Sequence, residues 1–356
     1  MKRRLAVLAL AGAMTVTSLT GCAGGLSDKD VVATVDGDEI TADIANFYAR
    51  FTQAQYETYY AGYLGEDMWS SEAEEGKTYE ESVKDSVLEA LEDMYLLEDH
   101  MEEYEVEITE EDEKSIKNAA TDFDEANGLD EKDKVSGSEK TVERLLTLFT
   151  IQVKMDNAIK ATADLEVSDE EAAQKKMQYV VFPFTTTDED GNSVELTDDE
   201  KAELKKTAEA FAKGAKTAKD FAAYATEQEQ EAKDATFDGE ETMTIPEQLA
   251  KAADALKEGE ITDVVEGDNG YYVAKLVSLF DKEATETEKE NIRSQRKQEK
   301  MDEVLEQWRK DAKIEVNEKV WKKVDFNELS VTMKIEESEP YADEAQTDDV
   351  ADAAGE

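Results

Sequence analysis

The chain has 356 residues with 89 acidic and 40 basic side chains, a formal charge of -49, one His, one Cys and three Pro. A surface this acidic repels a phosphate backbone, which excludes nucleic-acid binding, and a single His and Cys cannot build a His/Cys zinc site, a disulfide framework or a Cys-His nucleophile. With 40% hydrophobic residues the chain still buries a core, so the acidity belongs to the surface of a folded protein of about two or three domains.

The N-terminus reads as a targeting segment. Lys2, Arg3 and Arg4 form a positive region, and Leu5 to Leu19 is an apolar stretch too short for a comfortable membrane span. Leu19-Thr20-Gly21-Cys22 follows, and it resembles the lipobox of bacterial lipoproteins, in which the Cys is lipidated and becomes the first mature residue. Residues 1–21 are therefore expected to be a signal peptide, with Cys22 the membrane anchor and residues 22–30 a Gly/Ser/Asp linker. The body would then work on the extracytoplasmic face of a bacterial membrane.

Val31 to Val35 predicts a short strand, Asp36-Gly37-Asp38 a turn, and Thr41 the N-cap of a helix. Phe47, Tyr48, Phe51, Tyr56, Tyr59, Tyr60, Tyr63 and Trp69 crowd the following stretch; about half are expected in the core, and Tyr59, Tyr60 and Tyr63 are candidates for binding unfolded clients. Three- and four-residue spacings predict further helices over about 79–104, from Thr109 onward and over 142–159, so residues 31–165 read as a helical domain. His100 reads as a solvated helix residue.

At Ser168 the character changes. Ser168-x-x-Glu171 signals a short helix, Gln178 to Phe182 a buried strand, and Thr197-x-x-Glu200 a second capped helix. Asp220 to Ala225 reads as a helical turn. Ile245-Pro246 leads into a helix, and Tyr271 to Leu279 forms a strand after the Asp268-Asn269-Gly270 turn. Residues 166–284 thus form a compact α+β unit. Asp188-Glu189-Asp190-Gly191-Asn192 sets Gly191 at the sixth position of an EF-hand-like loop, but the first and twelfth positions fall on Thr186 and Thr197, so a hairpin tip is expected and no metal. A charged helix with Ile292, Met301, Leu305 and Trp308 on one stripe follows, within a segment 285–326 expected to pack on the N-terminal domain. Residues 327–356 read as an acidic disordered tail.

The order of these parts resembles the PrsA/SurA family of extracytoplasmic foldases, specifically its lipid-anchored type. Asp220-Phe221-Ala222-Ala223, Leu256-Lys257-x-Gly259-Glu260-Ile261-Thr262 and Gly270-Tyr271-Tyr272-Val273-Ala274-Lys275-Leu276 are similar to signature segments of a parvulin-type peptidyl-prolyl isomerase domain, and Ala312 to Asn317 fits the family's C-terminal segment. The resemblance implies an α+β fold class: a helical chaperone-like domain completed by a C-terminal helix, with an inserted parvulin-like domain.

It also implies the site. The two catalytic His positions fall on Tyr179 and Tyr272, the acidic position on Asp234, and the Met and Phe of the proline pocket on Ile245 and Leu249. With both His replaced, Tyr179 and Tyr272 read as core or rim aromatics of a degenerate domain. The implied function is a foldase for newly secreted, unfolded proteins with weak or absent isomerase activity and no cofactor. An active isomerase is the alternative, and a transporter's solute-binding lipoprotein a third class that no pair of α/β lobes supports. A homodimer is left open.

Overall fold

A computed structural model describes residues 13–18, 25–65, 67–188, 191–238 and 245–334. The chain begins with β1 (Met14–Ser18), β2 (Val31–Val35), β3 (Asp38–Thr41), α1 (Ala42–Tyr59), α2 (Ala61–Leu64), β4 (Glu72–Glu74), β5 (Lys77–Thr78) and α3 (Tyr79–Asp99). Next come α4 (Glu110–Ala126), α5 (Leu129–Val135), α6 (Glu139–Lys160), β6 (Lys175–Pro183), β7 (Thr185–Thr187), β8 (Ser193–Glu195), α7 (Asp198–Ala215) and α8 (Phe221–Glu227). The chain continues through β9 (Lys233–Phe237), α9 (Glu247–Asp254), β10 (Val265–Gly267), β11 (Gly270–Ser278), α10 (Lys282–Asp311), β12 (Ile314–Val316), α11 (Glu318–Trp321) and β13 (Leu329–Met333). These elements divide into one unit of residues 1–161 and 301–356 and a second of residues 162–300.

The first unit is organised around α1, α3, α4 and α6, which pack on one another. β2 and β3 are joined by the two-residue turn Asp36-Gly37, with φ of 51° and 101°; both central residues lie in the left-handed region, as a tight hairpin that matches strand twist requires. Thr78 and Thr109 cap α3 and α4 through reciprocal bonds with Glu81 and Asp112, satisfying amides that an isolated helix start would leave open. Returning chain completes the unit: β12 pairs with β2, giving a three-stranded order β12-β2-β3, and β13 pairs with β1.

The end of α10 brings Met301, Leu305 and Trp308 against Leu97, Ile151 and Met155. Arg309 fixes the contact, its Nη2 donating to Glu92 at 2.7 Å and its Nη1 to Asp93 at 2.5 Å. Burial raises the pKa of both carboxyls, and the guanidinium opposes that rise. His100 is not a solvated helix residue. It is the C-cap of α3, and its ring stacks on Trp308 at 4.0 Å between centroids.

The second unit is built on an antiparallel sheet of order β10-β11-β6-β9. Side chains alternate between its faces. Val180, Phe182, Tyr271 and Val273 meet Phe211 of α7 and Phe221 of α8, whereas Met177, Tyr179, Tyr272 and Ala274 meet Leu249 and Ala253 of α9. Asp188 and Asn192 lie between the paired strands β7 and β8, where Asn192 donates its amide to Asp188 Oδ1 at 2.7 Å, as at the closed end of a hairpin. Among the described residues no group of three or more His, Cys, Asp or Glu is placed to hold a metal.

Three local expectations need correction. The short helix after Ser168 does not form: Glu171 donates its amide to Ser168 Oγ, but the chain passes through turns into β6, because no apolar stripe follows the cap. The return segment expected from 285 divides at Met301, since Lys282–Lys300 is tied to the sheet unit by Lys289 with Asp169 and by Arg296 with Glu171. The tail expected from 327 does not begin there. Leu329 and Val331 are buried in β13, and the acidic run to Glu356 lies outside the described residues, as does Cys22.

Candidate functional site

Tyr179 stands on β6 and Tyr272 on β11, with Ala274 opposite Tyr179 and Val181 opposite Tyr272. Both rings project from the same sheet face, their centroids 6.2 Å apart and tilted by 38°. They are 6% and 3% exposed, so each is an integral part of the packing against α9. Ile245 and Leu249 belong to the same cluster and are fully buried.

Tyr272 donates its hydroxyl to Asn269 Oδ1 at 2.5 Å. Asn269 sits in the β10–β11 turn, where Asn is favoured for conformational reasons, so sequence alone gave no sign that it closes over the ring. A β-carbon added at Gly267 would fall 3.0 Å from Cε2 of Tyr272 and 3.2 Å from Cγ of Pro246. The Tyr272 ring and the chain's own Pro246 thus occupy the space beside that glycine. Burial raises the pKa of Tyr179, and burial followed by the neighbouring Tyr179 raises that of Tyr272, against the opposing effect of the Asn269 bond. Both phenols are therefore neutral near pH 7: they can donate hydrogen bonds, but neither supplies a charge or a base.

Asp234 does not join them. It is exposed on β9 opposite Gln178, one residue from Ala235 and three from Phe237, which face the tyrosine cluster. Alternation sends the Asp234 side chain to the other face of the sheet. The residue opposite Tyr179 is Lys233. An expected trio of Tyr179, Asp234 and Tyr272 is therefore a pair.

Among solved structures, the foldase protein PrsA of Lactococcus lactis aligns at 15% identity and a TM-score of 0.35, covering 83% of this chain and 97% of its own. PrsA of Bacillus cereus aligns at 19% identity and a TM-score of 0.30, covering 85% and 99%. Residues 183–288 match the family profile of the PPIC-type PPIase domain. Two curated relatives, both foldase protein PrsA of Clostridium botulinum, are 28% and 27% identical, each over 82% of this chain and 89% of its own length. The chain is thus similar to PrsA foldases over most of its length and carries a PPIC-type PPIase domain.

The profile match begins at Pro183, the last residue of β6. Tyr179 thus lies ahead of the matched segment, while Asp234, Ile245, Leu249 and Tyr272 lie inside it. The candidate client-binding residues lie in the helical unit, well separated in sequence from the isomerase-type domain. Tyr59, Tyr60 and Tyr63 are 57%, 51% and 90% exposed, at the end of α1 and in α2. Phe47 and Trp69, from the same aromatic stretch, are buried, and Tyr48, Phe51 and Tyr56 are half-buried.

Proposed function

We infer that this chain is a foldase anchored through lipidated Cys22 to the extracytoplasmic face of a bacterial membrane. Its helical unit holds newly secreted, unfolded proteins, and its parvulin domain turns over prolyl bonds weakly or not at all. The observation that carries the second part is the packing of Tyr179 and Tyr272. An isomerase must favour a twisted amide over a planar one against a barrier of about 18–20 kcal/mol, which requires an open apolar pocket beside polar groups aimed at that amide. Here the positions corresponding to the family's histidines carry buried rings that contact the protein's own Leu249 cluster, and the acidic position faces away.

A proline-peptide isomerisation assay on the full chain tests this directly. The expected rate lies within about twofold of the uncatalysed one. A saturable acceleration that Tyr272→Ala abolishes would establish an active isomerase instead.

The anchor has its own test. In Cys22→Ala the protein is expected to leave the membrane fraction or to stay unprocessed on cell fractionation. Normal processing with unchanged membrane retention would refute lipidation at that residue.

A further inference from the structure

β13 is held along both edges, by side chains of α1 on one and by β1 on the other. Toward α1, Val331 donates its amide to Glu57 Oε2 at 2.8 Å, Met333 donates its amide to Thr58 Oγ1 at 2.9 Å, and the Leu329 carbonyl accepts from Gln53 Nε2 at 2.6 Å. Its other edge is covered by β1, in the antiparallel register Met14 to Met333 through Ser18 to Leu329. Among the described residues the two form a two-stranded sheet. Met14 is buried in the core of the helical unit and donates its amide to Oδ1 of the buried Asn127 at 2.6 Å. Asn127 is held in place by its own Nδ2, which donates to the Phe123 carbonyl at 2.8 Å. At the same end of the ladder, Lys334 donates its amide to the Ala13 carbonyl at 2.6 Å.

β1 lies within the segment that the sequence marks as a cleaved leader. A chain beginning at Cys22 lacks it. What is left is a strand edge with free amides and carbonyls, an apolar slot shaped for the Met14 side chain, and a buried carboxamide oxygen deprived of its donor. Each of these asks for the same thing, an extended backbone carrying an apolar side chain.

We propose that the β13 edge is a binding site for extended, uncharged segments of client proteins, which add as an antiparallel strand where Met14–Ser18 lies in the unprocessed chain. The occupied site shows what it accepts: Met-Thr-Val-Thr-Ser is free of charge, alternates apolar and small polar residues, and is read by main-chain bonds that tolerate many sequences. Tolerance of this kind suits a protein that meets diverse unfolded chains. The site rests on the foldase reading above and adds to it where and in what conformation a client binds. It also makes the unprocessed chain self-blocked at this edge.

The test uses a fluorescent nonapeptide of residues 12–20 and anisotropy titration against three proteins: the full chain, full-length Thr15→Pro, and the chain from residue 22 with Cys22→Ser. Because the Met14 amide goes to Asn127, the amides of Thr15 and Thr17 face β13, and proline at 15 removes one of them. The peptide is expected to bind Thr15→Pro and the shortened chain at least about tenfold more tightly than the full chain. Methylating the peptide nitrogens of Thr15 and Thr17 should abolish binding.

Several results overturn the proposal. Loss of the folded state in both altered proteins, by circular dichroism, would make β1 a structural strand. Equal binding of the methylated peptide would remove strand addition as the mode. Binding only after truncation at Lys334 would give the site to the chain's own tail, and a concentration-dependent dimer dispersed by the peptide would give it to a second copy. Aggregation suppression measured on the same preparations separates the two readings: suppression without peptide binding rejects the β13 site alone, and peptide binding without suppression rejects the foldase reading.

Discussion

Glu57→Ala is expected to destabilise the helical unit by about 3 kcal/mol or more in urea titration, because one carboxylate holds the C-terminal segment to α1. Its Oε1 accepts from Gln53 Nε2 at 2.6 Å and from the Trp69 indole at 2.9 Å, and its Oε2 accepts from the Ser330 hydroxyl at 2.7 Å and the Val331 amide at 2.8 Å. Alanine strips the Trp69, Ser330 and Val331 donors of their acceptor at once, while Gln53 Nε2 keeps the Phe326 and Leu329 carbonyls. Hydrogen bonds to a charged group contribute about 1.5–3 kcal/mol each, and water entering the vacated site recovers part of the loss. Glu57→Gln keeps an acceptor oxygen and should cost roughly half as much. Trp69 fluorescence gives a local check, since an indole freed from its carboxylate and wetted shifts its emission to longer wavelength. A Glu57→Ala protein within about 1 kcal/mol of wild type would show that β13 is held by its apolar contacts alone.

The polar face that does this holding was hidden in the sequence. Arg50, Gln53 and Glu57 are spaced three and four apart on α1, a pattern ordinarily read as a solvated stripe. Arg50 is in fact buried: its Nη1 donates to Gln53 Oε1 at 2.7 Å and to the Asp325 carbonyl at 3.0 Å, and burial lowers its pKa to about 10. Only chain returning from more than 270 residues away explains that burial, and no local signal reports such a partner. The strand β13 was obscured in a related way. Leu329, Val331 and Met333 alternate as a half-buried strand should, but they abut an acidic run whose composition dominates the reading.

Signals that act within one turn were legible. Thr109 with Asp112 and Thr197 with Glu200 form the capping boxes their spacing predicts, and the strands around Tyr179 and Tyr272 lie where β-branched and aromatic runs put them. Ser168 with Glu171 has the same spacing and caps no helix, which shows that the box is a start signal needing an amphipathic stretch behind it. Asp234 failed for a different reason. A family position transferred along a sequence can slip by one residue, and on a strand that slip reverses the face.

Replacing Tyr59, Tyr60 and Tyr63 together by Ser should weaken suppression of client aggregation by about fivefold, the loss of roughly 1 kcal/mol of client affinity. The three rings are the exposed end of an aromatic series that begins in the core: Phe326 packs edge-on against Trp69 at 4.7 Å, Trp69 lies 5.7 Å from Tyr56, and Tyr56 lies 5.4 Å from Tyr60. Contact with the half-buried Tyr56 ring limits how far Tyr60 can move, so part of its ordering cost is met before a client arrives. Exposed rings offer large contact area, and the acidic surface around them keeps a loaded complex from associating further. Since Tyr59 and Tyr63 are mostly in water, the triple variant should lose little stability, and circular dichroism should match wild type. Asp234→Ala, on the far face of the other unit's sheet, should leave suppression unchanged. Undiminished suppression by a folded triple variant would move client binding away from α1 and α2, and the β13 edge would then be the part of the helical unit left to carry it.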